Sequence, residues 1–140
     1  MVFTDWTTIS GSWSLSTGTK YSGTSSLKSG SNNGYIEHDD FSDDHAYVSL
    51  WTYTRGYAGT GIKHLSYGMM GNTLAFAAWG FMEAFFWYDP GTNTKWGRLF
   101  RDGGQVGSDI NYGVGAPAAG AIQLYCVSSS MYIDQLEIWS

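Results

Sequence analysis

The closing segment, Met131-Tyr-Ile-Asp-Gln-Leu-Glu-Ile-Trp139, constrains this chain more than any other. Successive side chains of a strand point to opposite faces, so Leu136 and Ile138 share a face and Asp134 is in phase with them. Ile133 points the other way. The apolar face therefore changes sides at Asp134, which predicts a bulge or a corner there. A carboxylate at the edge of an apolar layer needs backbone N–H partners or a cation.

The rest of the chain has the same grain. Strand-like runs are expected at residues 2–8, 11–16, 25–29, 34–38, 46–54, 61–70, 73–79, 81–88, 95–101, 120–127 and 131–139. Turn signals separate them: Ser10-Gly11, Ser22-Gly23, Asn32-Asn33-Gly34, Gly71-Asn72 and Gly103-Gly104. Asp89-Pro-Gly-Thr-Asn-Thr94 joins two aromatic runs and reads as a hairpin loop. Between 46 and 54 the alternation is plain. Val48, Leu50 and Thr52 form an inner face, while Tyr47, Ser49, Trp51 and Tyr53 form either a second buried layer or an exposed platform. Leu74, Ala78, Phe81, Met82 and Phe85 also fit helical spacing. Gly80 would cost about 1 kcal/mol inside such a helix, so two strands broken at Gly80 are expected. So many short strands imply two packed antiparallel sheets.

Composition narrows the function. The 140 residues make a single domain, 1–140, with a sizeable core. The seven Lys and Arg are scattered and the net charge is -5, which argues against nucleic acid and against an anionic membrane surface. The apolar stretch around Phe81 is too short for a span and contains Glu83, so no membrane insertion is expected. Cys126 is the lone cysteine; it sits in an apolar run and reads as a small buried hydrophobe. The start, Met1-Val-Phe-Thr-Asp-Trp6, enters a strand pattern at once, without the basic and apolar regions of a signal peptide.

Two segments resemble lectin-like jelly-roll sandwiches, the concanavalin A-like and laminin G-like group that includes many carbohydrate-binding modules. Asp5-Trp6 followed by Lys20-Tyr-Ser-Gly-Thr-Ser-Ser-Leu-Lys28 is similar to their opening. Gly120-Ala-Ile-Gln-Leu-Tyr125 followed by Met131-Tyr-Ile-Asp-Gln-Leu-Glu-Ile138 is similar to their closing strands. The resemblance implies an all-β, two-sheet antiparallel jelly-roll sandwich with its first and closing segments side by side. It also implies a possible structural calcium held by Asp134 with Asp5 and carbonyls near Ser25; no cofactor is otherwise required. The alternative is that Asp134 caps local backbone N–H groups. The paired-acid pattern Glu-x-Asp-x-x-Glu of the group's glycoside hydrolases is absent.

Other candidate sites are weighed on chemistry. The cluster Glu37-His-Asp-Asp-Phe-Ser-Asp-Asp-His45 lacks the spacing of a calcium loop and reads as a solvated connection. Glu83 is the one acid expected to be desolvated, with no nameable partner for glycoside hydrolysis. Sugar sites stack aromatic faces on pyranose C–H surfaces and fix the hydroxyls with a few polar groups. Trp51, Tyr53, Trp87 and Trp96 are the candidate faces, with Arg55, Asn93 and Arg98 as polar partners.

The leading expectation is a non-catalytic structural or recognition protein: a virion surface subunit (coat, decoration or fibre) that forms a homo-oligomer or joins other virion proteins and contacts host glycans. The alternative is a carbohydrate-binding module of a larger secreted protein, and the third reading is a glycoside hydrolase. Localisation is then on a virion or an extracellular surface.

Overall fold

The computed structural model describes residues 6–38, 45–57 and 59–139, and within these the chain is built from strands alone. In chain order they are β1 Thr7–Ser10, β2 Trp13–Ser16, β3 Ser26–Ser29, β4 Gly34–His38, β5 His45–Tyr53, β6 Thr60–His64 and β7 Gly68–Met70. They continue as β8 Gly80–Asp89, β9 Thr94–Arg101, β10 Gly104–Gln105, β11 Ile110–Val114, β12 Ile122–Cys126 and β13 Tyr132–Trp139. Two antiparallel sheets pack face to face, as expected of a jelly-roll sandwich. One has five strands in the order β1-β4-β12-β6-β7; the other has eight, in the order β10-β9-β8-β5-β13-β3-β2, with β11 also paired to β9.

The last two strands do the closing. β12 inserts between β4 and β6, and β13 inserts between β3 and β5. The neighbours of the closing strand are therefore β3 and β5, whereas β1 lies in the opposite sheet beside β4. This corrects the expected pairing of first and last segments, as far as the described residues reach.

The core sits between the sheets. Val48 and Leu50 of β5, with Met82, Ala84 and Phe86 of β8, face Ile36, Ile62, Ile122, Leu124 and Cys126 of the smaller sheet. Burial pushes the Cys126 thiol up to about 12, so it is a packed apolar group and not a nucleophile. Thr52 Oγ1 and Thr60 Oγ1, 2.9 Å apart, form a buried hydroxyl pair across the two sheets. Tyr112 of β11 is a second tie. Its hydroxyl donates to the Met69 carbonyl at 3.0 Å, and its ring fills a slot between Gly68 and Gly97. A Cβ at either glycine would come within 2.5 Å of that ring.

Three local expectations change. The run 61–70 is a hairpin, β6 and β7, turning at residues 65–67. Residues 73–79 are irregular, not a strand. The side chain of Phe76 is drawn into the core, and its backbone is held by Thr54: Phe76 N donates to Thr54 Oγ1 at 2.9 Å, and Thr54 N donates to the Phe76 carbonyl at 3.2 Å. The Phe76 ring lies where a Cβ of residue 80 would be, which is why glycine starts β8. Strands β10 and β11 were not foreseen, because residues 104–114 mix Gly and polar residues without clear alternation.

Candidate functional site

The predicted irregularity in β13 is a bulge. Asp134 pairs with Trp51 and Glu137 with Ser49, so Gln135 and Leu136 together oppose Leu50, and Gln135 takes a φ of 48°. The extra residue reverses the alternation. Ile138 pairs with Val48 on the inner face, while Asp134 pairs with Trp51 and points to the outer face of the larger sheet. The apparent phase match between Asp134 and Ile138 is thereby corrected.

Asp134 is nevertheless 0% exposed, because residues 17–24 fold over it as a strap. Its Oδ2 accepts from Tyr21 N at 2.9 Å and Ser22 N at 3.1 Å, and its Oδ1 accepts from Gln135 N at 2.8 Å. These N–H groups supply the compensation that a buried carboxylate requires. A calcium ion wants six to eight oxygens, and a carboxylate ringed by N–H donors is a poor member of such a set. Asp5 lies outside the described residues, and among these no group of three His, Cys, Asp or Glu is placed to hold a metal. Glu83 is only half-buried, so Asp134 and not Glu83 is the desolvated acid. Most of the acidic cluster 37–45 (residues 39–44) also falls outside the described residues.

The strap divides the outer face of the larger sheet in two. Over one half it lays Tyr21 on Trp51, with ring centroids 3.9 Å apart and planes 11° from parallel. Tyr53, Trp79, Phe81 and Tyr132 complete this capped cluster. Trp51 and Tyr53 thus have aromatic neighbours already on their rings.

The other half is open. Register places Trp139, Tyr47, Phe85 and Arg98 in one row across β13, β5, β8 and β9. His45, Trp87 and Trp96 form the next row. Tyr47 and Phe85 rings are 4.7 Å apart, and Trp87 and Trp96 stack at 6.5 Å. Phe85 and Trp87 make a ridge with a depression on each side. The first, of about 330 Å³, is walled by Tyr47, His45 and Trp139; the second, of about 370 Å³, by Arg98 and Phe100. Both lie at the small end of the range for ligand sites, about 300–1,000 Å³.

The polar groups of this half are fixed. Arg98 Nε and Nη2 donate to the two carboxylate oxygens of Asp109, each at 2.7 Å, and the guanidinium lies 5.3 Å from the Trp87 ring centroid. Gln105 Nε2 donates to Asp109 Oδ1 at 3.0 Å. The ion pair holds the Asp109 carboxyl below, and the Arg98 guanidinium above, their ordinary values. Tyr47 donates to Glu83 Oε2 at 2.9 Å; burial, with the nearby Glu83 and Glu137 charges, raises its hydroxyl pKa.

Five of the residues singled out in the sequence, Trp51, Tyr53, Trp87, Trp96 and Arg98, come together on this sheet face. Arg55 and Asn93 do not. Arg55 is in the turn after β5 with a φ of 56°, and Asn93 is in the β8–β9 hairpin, where its side chain accepts from Tyr88 Oη at 2.6 Å. Sequence reasoning missed Phe85, Phe100 and Trp139 as wall residues. The alternation in 81–88 and 95–101 already puts Phe85 and Phe100 in phase with Trp87, Trp96 and Arg98; Trp139 depended on the bulge.

The outer face of the smaller sheet contrasts with all this. It carries Tyr35, Glu37, Lys63, Gln123 and Tyr125, tied by Gln123 Nε2 to Glu37 Oε2 at 2.6 Å and Tyr125 Oη to Asn33 Oδ1 at 2.7 Å. Among the described residues no helix is long and apolar enough to cross a membrane.

No family profile matches the chain, and no curated protein sequence does. Solved structures do. The cellulose induced protein Cip1 superposes with a TM-score of 0.68, covering 100% of this chain and 93% of that chain at 12% identity. The likeness concerns the fold.

Proposed function

We propose that this chain is a non-catalytic carbohydrate-binding β-sandwich, and that the open half of the larger sheet's outer face is its glycan site. The observation that carries this reading is the asymmetry of the two outer faces. One is closed by polar side-chain pairs; the other exposes Trp87, Phe85 and Trp139 around two depressions. Pyranose rings offer C–H surfaces to such aromatic faces, and water-ordered aromatic surface is favourable to cover. Cip1, whose name ties it to induction by cellulose, has the same fold and fits a polysaccharide setting. The protein would act where such glycans are met, outside the cell or on the surface of a particle.

Binding to an array of plant, fungal and animal glycans, followed by titration calorimetry, tests the reading. Trp87→Ala and Trp139→Ala are each expected to weaken binding roughly tenfold or more, about 1.4 kcal/mol. Trp51→Ala should change affinity little, since Tyr21 already covers that ring. Unchanged affinity in both of the first two variants would remove the site.

A second reading keeps the fold and changes the occupant: the same face packs against another copy, as in a virion coat or fibre. Trp139, 64% exposed, favours it, since interface cores are enriched in aromatics. A strictly monomeric wild type at micromolar concentration would dispose of it.

A further inference from the structure

Arg98, in the wall of the second depression, is held by Asp109. It is the basic residue in that wall, and its charge is answered on the spot by a two-point carboxylate contact. Around it the sheet face adds negative charge: Glu83 on β8, one strand away, and Glu137 on β13. The whole chain carries -5. An anionic sugar entering the second depression would therefore approach carboxylates, and the guanidinium in its wall is already answered by Asp109.

The guanidinium is still a donor. Asp109 occupies Nε and one hydrogen of Nη2. Both hydrogens on Nη1 and the second on Nη2 have no protein acceptor among the described residues. Asp109, itself steadied by Gln105, and the Trp87 ring fix the plane of the fork. A planar fork so placed matches two adjacent oxygens of one ring. Trp87 and Phe85 line the same depression and add apolar ring surface beside the fork.

On the reading that this face binds glycans, we infer that the second depression takes an uncharged pyranoside through a pair of vicinal hydroxyls held by Arg98, and that Asp109 is the residue that rejects uronic and sulfated sugars. Asp109 acts through Arg98, by neutralising and orienting it, and need not touch the ligand.

The test compares uncharged hexasaccharides of glucose, xylose and mannose with hexagalacturonate, by calorimetry at low and high salt. The wild type should bind at least one uncharged chain, with little salt dependence, and hexagalacturonate much more weakly. Asp109→Asn removes the countercharge and leaves the guanidinium in place. It should shift the ratio of anionic to neutral affinity roughly tenfold or more towards hexagalacturonate, and the gain should fade at high salt. Arg98→Lys keeps the charge and loses the fork, so it should weaken neutral binding about as much as Arg98→Ala. Thermal melts check that each variant is folded.

A wild type that binds hexagalacturonate as well as the neutral chains overturns the inference and leaves the glycan site standing. So does an unchanged ratio in folded Asp109→Asn, or full neutral affinity in Arg98→Lys. A wild type that binds none of these chains, charged or uncharged, overturns the site itself.

Discussion

Asp134 shows how a single residue's meaning depends on what covers it. In the sequence it is an acid among aliphatic residues, and either a cation or backbone donors would satisfy it. In the fold it accepts from Tyr21, Ser22 and Gln135 N–H groups and is fully buried. Removing it takes the acceptor from three part-buried N–H groups, and a donor left unsatisfied away from water costs about 1–3 kcal/mol. Asp134→Ala is expected to lower stability by about 3 kcal/mol in urea unfolding, with loss of the strap's protection from proteolysis. Excess EDTA should leave the wild-type midpoint unchanged, because the carboxylate's oxygens are engaged by N–H donors. A midpoint that falls on chelation would put an ion back at this site.

At the scale of the strand, the bulge in β13 is the decisive feature. One extra residue lets Ile133 and Ile138 both face the core although they are five apart in sequence, and sends Asp134 and Trp139 outward. Gln135 accommodates this with a φ of 48°, a conformation that costs an L-residue about 1–2 kcal/mol and glycine almost nothing. β-Branching makes it worse. Gln135→Val should therefore be less stable than Gln135→Gly by about 1–2 kcal/mol in denaturant unfolding, the reverse of ordinary strand preference. If valine proved the more stable, residue 135 would be in a regular strand and Asp134 would face the core. The β8–β9 hairpin was simpler to foresee. Asp89 holds its turn through Gly91 N at 2.9 Å and Thr92 Oγ1 at 2.8 Å, the local bonds that Asp makes in loops. Those bonds keep the Asp89 carboxyl below its usual range.

Over the whole molecule, two sheets of unequal width are held by apolar packing and by a few side chains that reach across. Tyr112 is one of these, and burial pushes its hydroxyl from 10.0 to about 12. The unfolded chain releases this proton near pH 10, while the folded chain keeps it until about pH 12. The contribution is thus complete below pH 10 and is lost as pH rises towards 12. Denaturant unfolding at pH 8 and pH 11 should show a steeper alkaline loss for the wild type than for Tyr112→Phe, which has no hydroxyl to ionise. Equal losses would mean that Tyr112 titrates as in the open chain. Local pattern alone determined the all-β class, most strand positions, the inner face of β5 and the clustering of Trp87, Trp96 and Arg98, because period-two alternation and turn residues act within a few residues of chain. Only the tertiary structure decided which aromatics stay open. Tyr21 meets Trp51 across thirty positions of sequence, Asp134 ties down a strap more than a hundred residues away, and Asp109 reaches Arg98 from outside the strand that carries it. Contacts of that range leave no periodic trace, since they depend on how sheets and loops pack and not on the order of neighbours along the chain.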